Sequence, residues 1–159
     1  MRRTLVAVAG VALNAGIAGG QQATQVVQFR VNPVSEIAVS GTPAPLVVGS
    51  AIAGSAPTSA TSSGTTWAIS TNESNQKVIA SIDAIMPTGL SLEVALAAPA
   101  GASSRGLVPL GTSGADVVTG ISTVAASALP ISYRLSATPS APVSSAQTRT
   151  VTFTIVSGV

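Results

Sequence analysis

The chain has 159 residues with no cysteine and no histidine, which excludes disulfides, a lipidated thiol anchor, Ser-His or Cys-His nucleophiles and zinc sites of the usual type. Seven Lys and Arg stand against five Asp and Glu, but two of the cations, Arg2 and Arg3, belong to an N-terminal leader. The remaining Arg30, Lys77, Arg105, Arg134 and Arg149 balance Glu36, Glu73, Asp83, Glu93 and Asp116, and a neutral chain has no basic field to draw it to nucleic acid.

Residues 1–20 read as a signal peptide. Arg2 and Arg3 form a positive start, Leu5 to Leu13 an apolar run, and Asn14 to Gly20 a small-residue cleavage region. Cleavage after Ala18 or Gly20 leaves small residues at both recognition positions, whereas cleavage after Ala23 would place Gln21 at one of them. The apolar run falls short of the ~20 residues that a membrane span needs. "RRTLV" also fits a minimal twin-arginine pattern, but nothing downstream looks able to hold a cofactor, so Sec-type export is the expectation. Residues 21–159 are then one domain, long enough at ~139 residues to bury roughly two-thirds of its unfolded surface.

Short alternating segments follow one another along that domain. "VVQFRVN" sets Val27, Phe29 and Val31 against Gln28 and Arg30. "SEIAVSG" offers Ile37 and Val39, and "PLVVG" offers Leu46 and Val48. Ser50 to Thr65 is low in complexity and reads as a long surface loop. "TWAIST" groups Trp67, Ile69 and Thr71; "TNESNQ" is rich in turn formers. "QKVIASIDA" then groups Val78, Ala80 and Ile82, and "GLSLEVALA" groups Leu90, Leu92, Val94 and Leu96. "APAGASSRG" and "ATPSAPVSSAQ" read as further loops, flanking the strands "ADVVTGIS" and "PISYRLSAT". "RTVTFTIVS" closes the series, with Val151, Phe153 and Ile155 in one phase and Thr150, Thr152 and Thr154 in the other. A period of two marks half-buried strands, and no segment after the leader sustains a helical period. The predicted fold class is all-β, an immunoglobulin-like sandwich of about eight to ten short strands, with a β-barrel as the alternative.

No residue stands out as catalytic, cofactor-binding or metal-binding. Lys77 is the one lysine that could activate a serine, but it lies in the polar phase of a strand. The five acids stand at least ten residues apart, and a glycosidase pair would also need aromatic platforms. The four aromatic residues after the leader, Phe29, Trp67, Tyr133 and Phe153, all occupy apolar phases and read as core. There is no DxDxDG calcium loop. "NES" at Asn72 to Ser74 matches the N-glycosylation acceptor pattern and reads here as a polar hairpin tip.

From Thr65 onward, "TTWAISTNESNQKVIASIDA", "GLSLEVALAAPAG", "DVVTGIS" and "ISYRLSATPSAPVSSAQTRTVTFTI" resemble short exported bacterial sandwich proteins of fimbrial-subunit or cell-surface type. The likeness lies in strand order and turn placement, and it carries no functional residues. The chain is more distantly similar to wall-binding domains named for paired Trp-x-Leu motifs, of which it has only "WAI" at Trp67 to Ile69.

The expected function is that of a non-enzymatic exported structural protein, a subunit of a pilus-like fibre, surface layer or matrix, needing no cofactor. The alternative is a soluble module that binds carbohydrate or another surface polymer. Expected partners are other copies of itself, joined by strand addition, or surface glycans, with no membrane span once the leader is removed. The expected location is periplasmic, cell-surface or extracellular. For the terminal strand two outcomes stand open: pairing within its own sandwich, or an edge, either this strand or "TQVVQFRV", pairing with a neighbouring molecule.

Overall fold

The computed structural model describes residues 20–158. The leader expected over residues 1–20 lies outside that range except for Gly20. By internal contacts the chain forms two units, Met1–Val31 and Asn32–Val159, and all strands of the described residues belong to the second.

Among the described residues nine strands form two antiparallel sheets, and no helix occurs. The strands are β1 (Ser35–Ser40), β2 (Ala60–Thr71), β3 (Gln76–Ile82), β4 (Leu90–Leu96), β5 (Ser103–Ser104), β6 (Val108–Pro109), β7 (Ala115–Ile121), β8 (Val124–Ala137) and β9 (Val151–Ser157). One sheet has the order β1-β2-β8-β4-β6 and the other β5-β7-β3-β9. Neither closes on itself, so the all-β sandwich stands and the barrel does not. In order, β1, β2, β8 and β4 match strands A, B, E and D of the immunoglobulin arrangement, while β3 and β9 match C and F.

The alternation seen in sequence is the alternation of burial. Trp67, Ile69 and Thr71 of β2 point inward, as do Val78, Ala80 and Ile82 of β3, Leu92, Val94 and Leu96 of β4, and Ile131 and Tyr133 of β8. On β7 the neighbours Val117 and Val118 are both buried. Register shifts against β3 let two successive side chains face inward there. Trp67 is 1% exposed, and its indole N–H donates to the Ala97 carbonyl oxygen at 3.0 Å.

Three expectations need correction. "VVQFRVN" forms no strand: residues 20–34 are irregular, and Val26, Val27, Phe29 and Val31 are exposed, Phe29 at 92%. Phe29 is therefore not core. Alternation shows which faces a strand would present, but a strand exists only where a second strand supplies hydrogen bonds. "PLVVG" is irregular too, although Leu46 still packs on the core. Pro43 and Pro45 remove two of the donors that a ladder would need there. Conversely, the long loop expected over residues 50–65 ends early, because β2 begins at Ala60. A register shift between Ser62 and Thr65 admits Gly64 at φ 99°, a backbone shape glycine adopts without strain.

Strand β8 also starts earlier than its alternation shows, at Val124. Ala128 at φ 56° and a register shift opposite Trp67 and Ile69 mark a bulge just before Pro130. The ladder with β4 ends at Leu96↔Ile131, so Pro130 has a register partner on β2 alone and sits next to the bulge, where a proline is tolerated. The short β5 and β6 had no legible pattern at two residues each.

Burial has one measurable consequence at Tyr133, the single tyrosine of the chain. Desolvation raises its phenol above the ordinary value. Because the folded value lies above the unfolded one of ~10, the associated stability is complete below the unfolded value and is lost as pH rises through the folded one. In an alkaline titration the phenolate absorbance should appear later in native protein than in protein unfolded by urea. Coincident curves would mean that Tyr133 is not desolvated.

Candidate functional site

Several charged and polar side chains of the described residues hold the fold together. Arg134 Nε donates to Glu93 Oε2 between β8 and β4. That hydrogen bond is the main reason the Glu93 carboxyl lies below its ordinary value; desolvation opposes it and the Arg134 charge assists it. Lys77 and Asp116 form an ion pair at 3.1 Å between β3 and β7. The Ser35 hydroxyl donates to Glu73 at 2.9 Å, and the Thr150 N–H donates to Asp83 Oδ1 at 3.1 Å. Among the described residues there is no cluster of three or more acidic, His or Cys side chains fit to hold a metal ion. Of the aromatic residues, Trp67 and Tyr133 are buried.

Among the described residues the edge strands are β1 and β6 in one sheet and β5 and β9 in the other, and β9 is the one that carries half-buried apolar side chains beside a groove. Strand β9 pairs along its whole length with β3, from Gln76↔Ser157 to Ile82↔Val151. On its other side no strand pairs with it among the described residues. In the immunoglobulin arrangement a further strand, G, pairs on that side of F. Val151, Phe153 and Ile155 rest on the core but are only half-buried.

Beside this edge lies an open apolar groove of about 1180 Å³. Leu92, Ile131 and Tyr133 contribute to it from β4 and β8, and Val151 and Phe153 from β9. Apart from Val39 and Ser40 of β1 and Thr65 of β2, its further walls are mostly irregular segments that include Pro43, Pro45, Pro139 and Pro142. Segments so rich in proline cover apolar side chains yet cannot supply a full hydrogen-bond ladder to a neighbouring strand. The wall at Pro139 is held by Gly89, whose carbonyl oxygen accepts from the Thr138 N–H at 2.8 Å. Gly89 sits at φ 81°, and a Cβ there would lie 2.9 Å from the Ala141 backbone, so only glycine allows this approach.

In comparisons with protein families, curated proteins and solved structures, no match was found. Any functional reading therefore rests on the chain's own physics.

The sequence pointed to both terminal segments as edges, and the structure separates their roles. The closing strand is paired within its own sandwich on one side and open on the other. The N-terminal segment has the alternation of a strand and no strand partner among the described residues. The groove itself was not legible in sequence, because its lining comes from five separate stretches of chain. The prolines of its walls were the one available signal.

Proposed function

We propose that this protein is a non-enzymatic exported structural subunit whose copies join by strand addition. Residues Gln21–Val31 of one copy lie along the open edge of β9 in the next. The observation that carries this reading is the fit between two uncovered features: an alternating apolar segment without a strand partner, and a half-buried strand with an open side. Val27, Phe29 and Val31 enter the groove beside Val151 and Phe153, while Gln28 and Arg30 remain in solvent. Main-chain hydrogen bonds then supply affinity and alternate side chains supply specificity, as in other cases of strand addition.

The occupant is a second copy because the match is specific in length and pattern. Gln25 to Val31 provides seven residues for the seven of β9. The chain after the leader carries no net charge, so copies approach one another without long-range repulsion. Export follows from the leader, and repeated addition of one copy to the next gives a fibre, surface layer or matrix.

Protein beginning at Gln21 should form filaments or concentration-dependent oligomers in negative-stain microscopy and sedimentation. Protein beginning at Asn32 should remain monomeric and bind a synthetic peptide of residues 21–31. Intact protein that stays monomeric at every concentration, or truncated protein that ignores the peptide, would overturn the proposal.

A further inference from the structure

The motif "NES" has no part in strand addition itself, yet its asparagine is among the most engaged polar side chains of the molecule. Asn72 stands just after β2, and its backbone N–H donates to the Val34 carbonyl oxygen at 3.2 Å. Its side-chain Oδ1 accepts from the Val34 N–H at 2.8 Å, and its Nδ2 donates to the Asn32 carbonyl oxygen at 2.9 Å. In extended backbone the C=O of one residue and the N–H two residues on face the same side. One primary amide can therefore serve both, and here it takes the place of a strand partner. The ladder that begins at Ser35↔Thr71 is thus carried past the formal end of β1.

The location of this clamp matters. Gln76 pairs with Ser157, and the Gly158 N–H donates to the Asn75 carbonyl oxygen. The final residues of β9 therefore lie at the same turn that carries Asn72. For Gln25–Val31 to lie along the open side of its own β9, the chain would have to reverse at Asn32–Val34, where the donor segment joins β1. Those three residues carry all three Asn72 hydrogen bonds.

Resting on the strand-addition reading, we infer that Asn72 is a positioning residue for assembly: its amide holds Asn32–Val34 in line with β1, so that the preceding segment serves a neighbouring β9 and not its own. Without the clamp, a copy caps itself and assembly stops.

The cysteine-free chain allows a direct test. Gln28 and Thr154 both lie in polar phases, so in adjacent strands they stand on one face within cross-linking reach. In protein carrying Gln28→Cys and Thr154→Cys, oxidation should give disulfides between chains, seen as ladders on non-reducing gels. Adding Asn72→Ala should convert most of the product to disulfides within one chain, with a matching rise in monomer. Hydrogen exchange at the Val34 amide should lose its protection in the same variant, while Trp67 fluorescence stays unchanged. Cross-links between chains in the same proportion in both backgrounds would overturn the role of Asn72 and leave strand addition standing. So would cross-links within one chain while Asn72 is present, or a loss of ladders in Asn72→Ala without a gain within one chain. No disulfide in either background would overturn both proposals.

Discussion

Replacing Val27 and Phe29 together by aspartate is expected to abolish assembly and leave the sandwich intact. Fully burying a valine or phenylalanine side chain contributes roughly 1.5–3 kcal/mol, so losing both removes about 3–6 kcal/mol from each contact. At ~1.4 kcal/mol per tenfold change, association weakens by roughly a hundredfold to ten-thousandfold even before two charges are forced against an apolar groove. Uncompensated burial of those charges adds to the loss. The stability of the isolated subunit should hardly change, because Val27 is 73% exposed and Phe29 92% exposed. Surface substitutions of this kind usually shift stability by no more than ~0.5 kcal/mol. Sedimentation gives the first quantity and urea denaturation of the monomer the second. Assembly that survives the double substitution would sink the proposed contact, and a clear loss of monomer stability would show that the segment belongs to its own sandwich.

At the centre of the core, Trp67→Ala is expected to cost about 3–5 kcal/mol, the range for deleting a large buried aromatic side chain. Trp67 stands opposite Val39 on β1 and Leu129 on β8 in the strand register and points into the core, so the cavity would open there. The substitution also leaves the Ala97 carbonyl oxygen without its 3.0 Å donor. Against a typical net stability of ~5–15 kcal/mol, a loss of this size brings the domain close to unfolding. Trp67→Phe keeps most of the ring's contact area and loses the indole N–H, and its cost should be nearer the ~1 kcal/mol of one hydrogen bond. Urea denaturation curves of the two variants separate packing from hydrogen bonding. As the single tryptophan of the chain, Trp67 should also show blue-shifted emission that resists quenching by iodide. A Trp67→Ala cost of under ~1 kcal/mol would mean that the site collapses around the loss and is not the packing centre its burial makes it.

Most strands were legible as a period of two, because a half-buried strand must place every second side chain in the core. "QKVIASI", "LSLEVAL" and "VTFTIVS" are strands with the inward residues that alternation predicts. Where a strand bulges the rule loses its count. The adjacent buried pair Val117 and Val118 and the early start of β8 at Val124 both arise at shifts in register that depend on the partner strand. A chain without histidine and cysteine also lacks the side chains for whole classes of chemistry, whatever its fold.

Tertiary structure decided which alternating segments find a partner. "VVQFRVN" and "VTFTIVS" look equivalent as sequences, yet the second pairs with β3 along its whole length and the first pairs with no strand of the described residues. Pairing depends on the hydrogen-bonding groups another segment brings alongside, and a segment's own side chains do not encode that neighbour. The same holds for Asn72: as part of "NES" it reads as a polar turn, and only the approach of Asn32 and Val34 turns its amide into a clamp. Local alternation was therefore enough to determine the faces of the unbulged strands, and composition enough to exclude sites built on histidine or cysteine. The open edge, the groove and the clamp needed the assembled sheets, because each is made from residues far apart in the chain whose meeting is set by strand order and register.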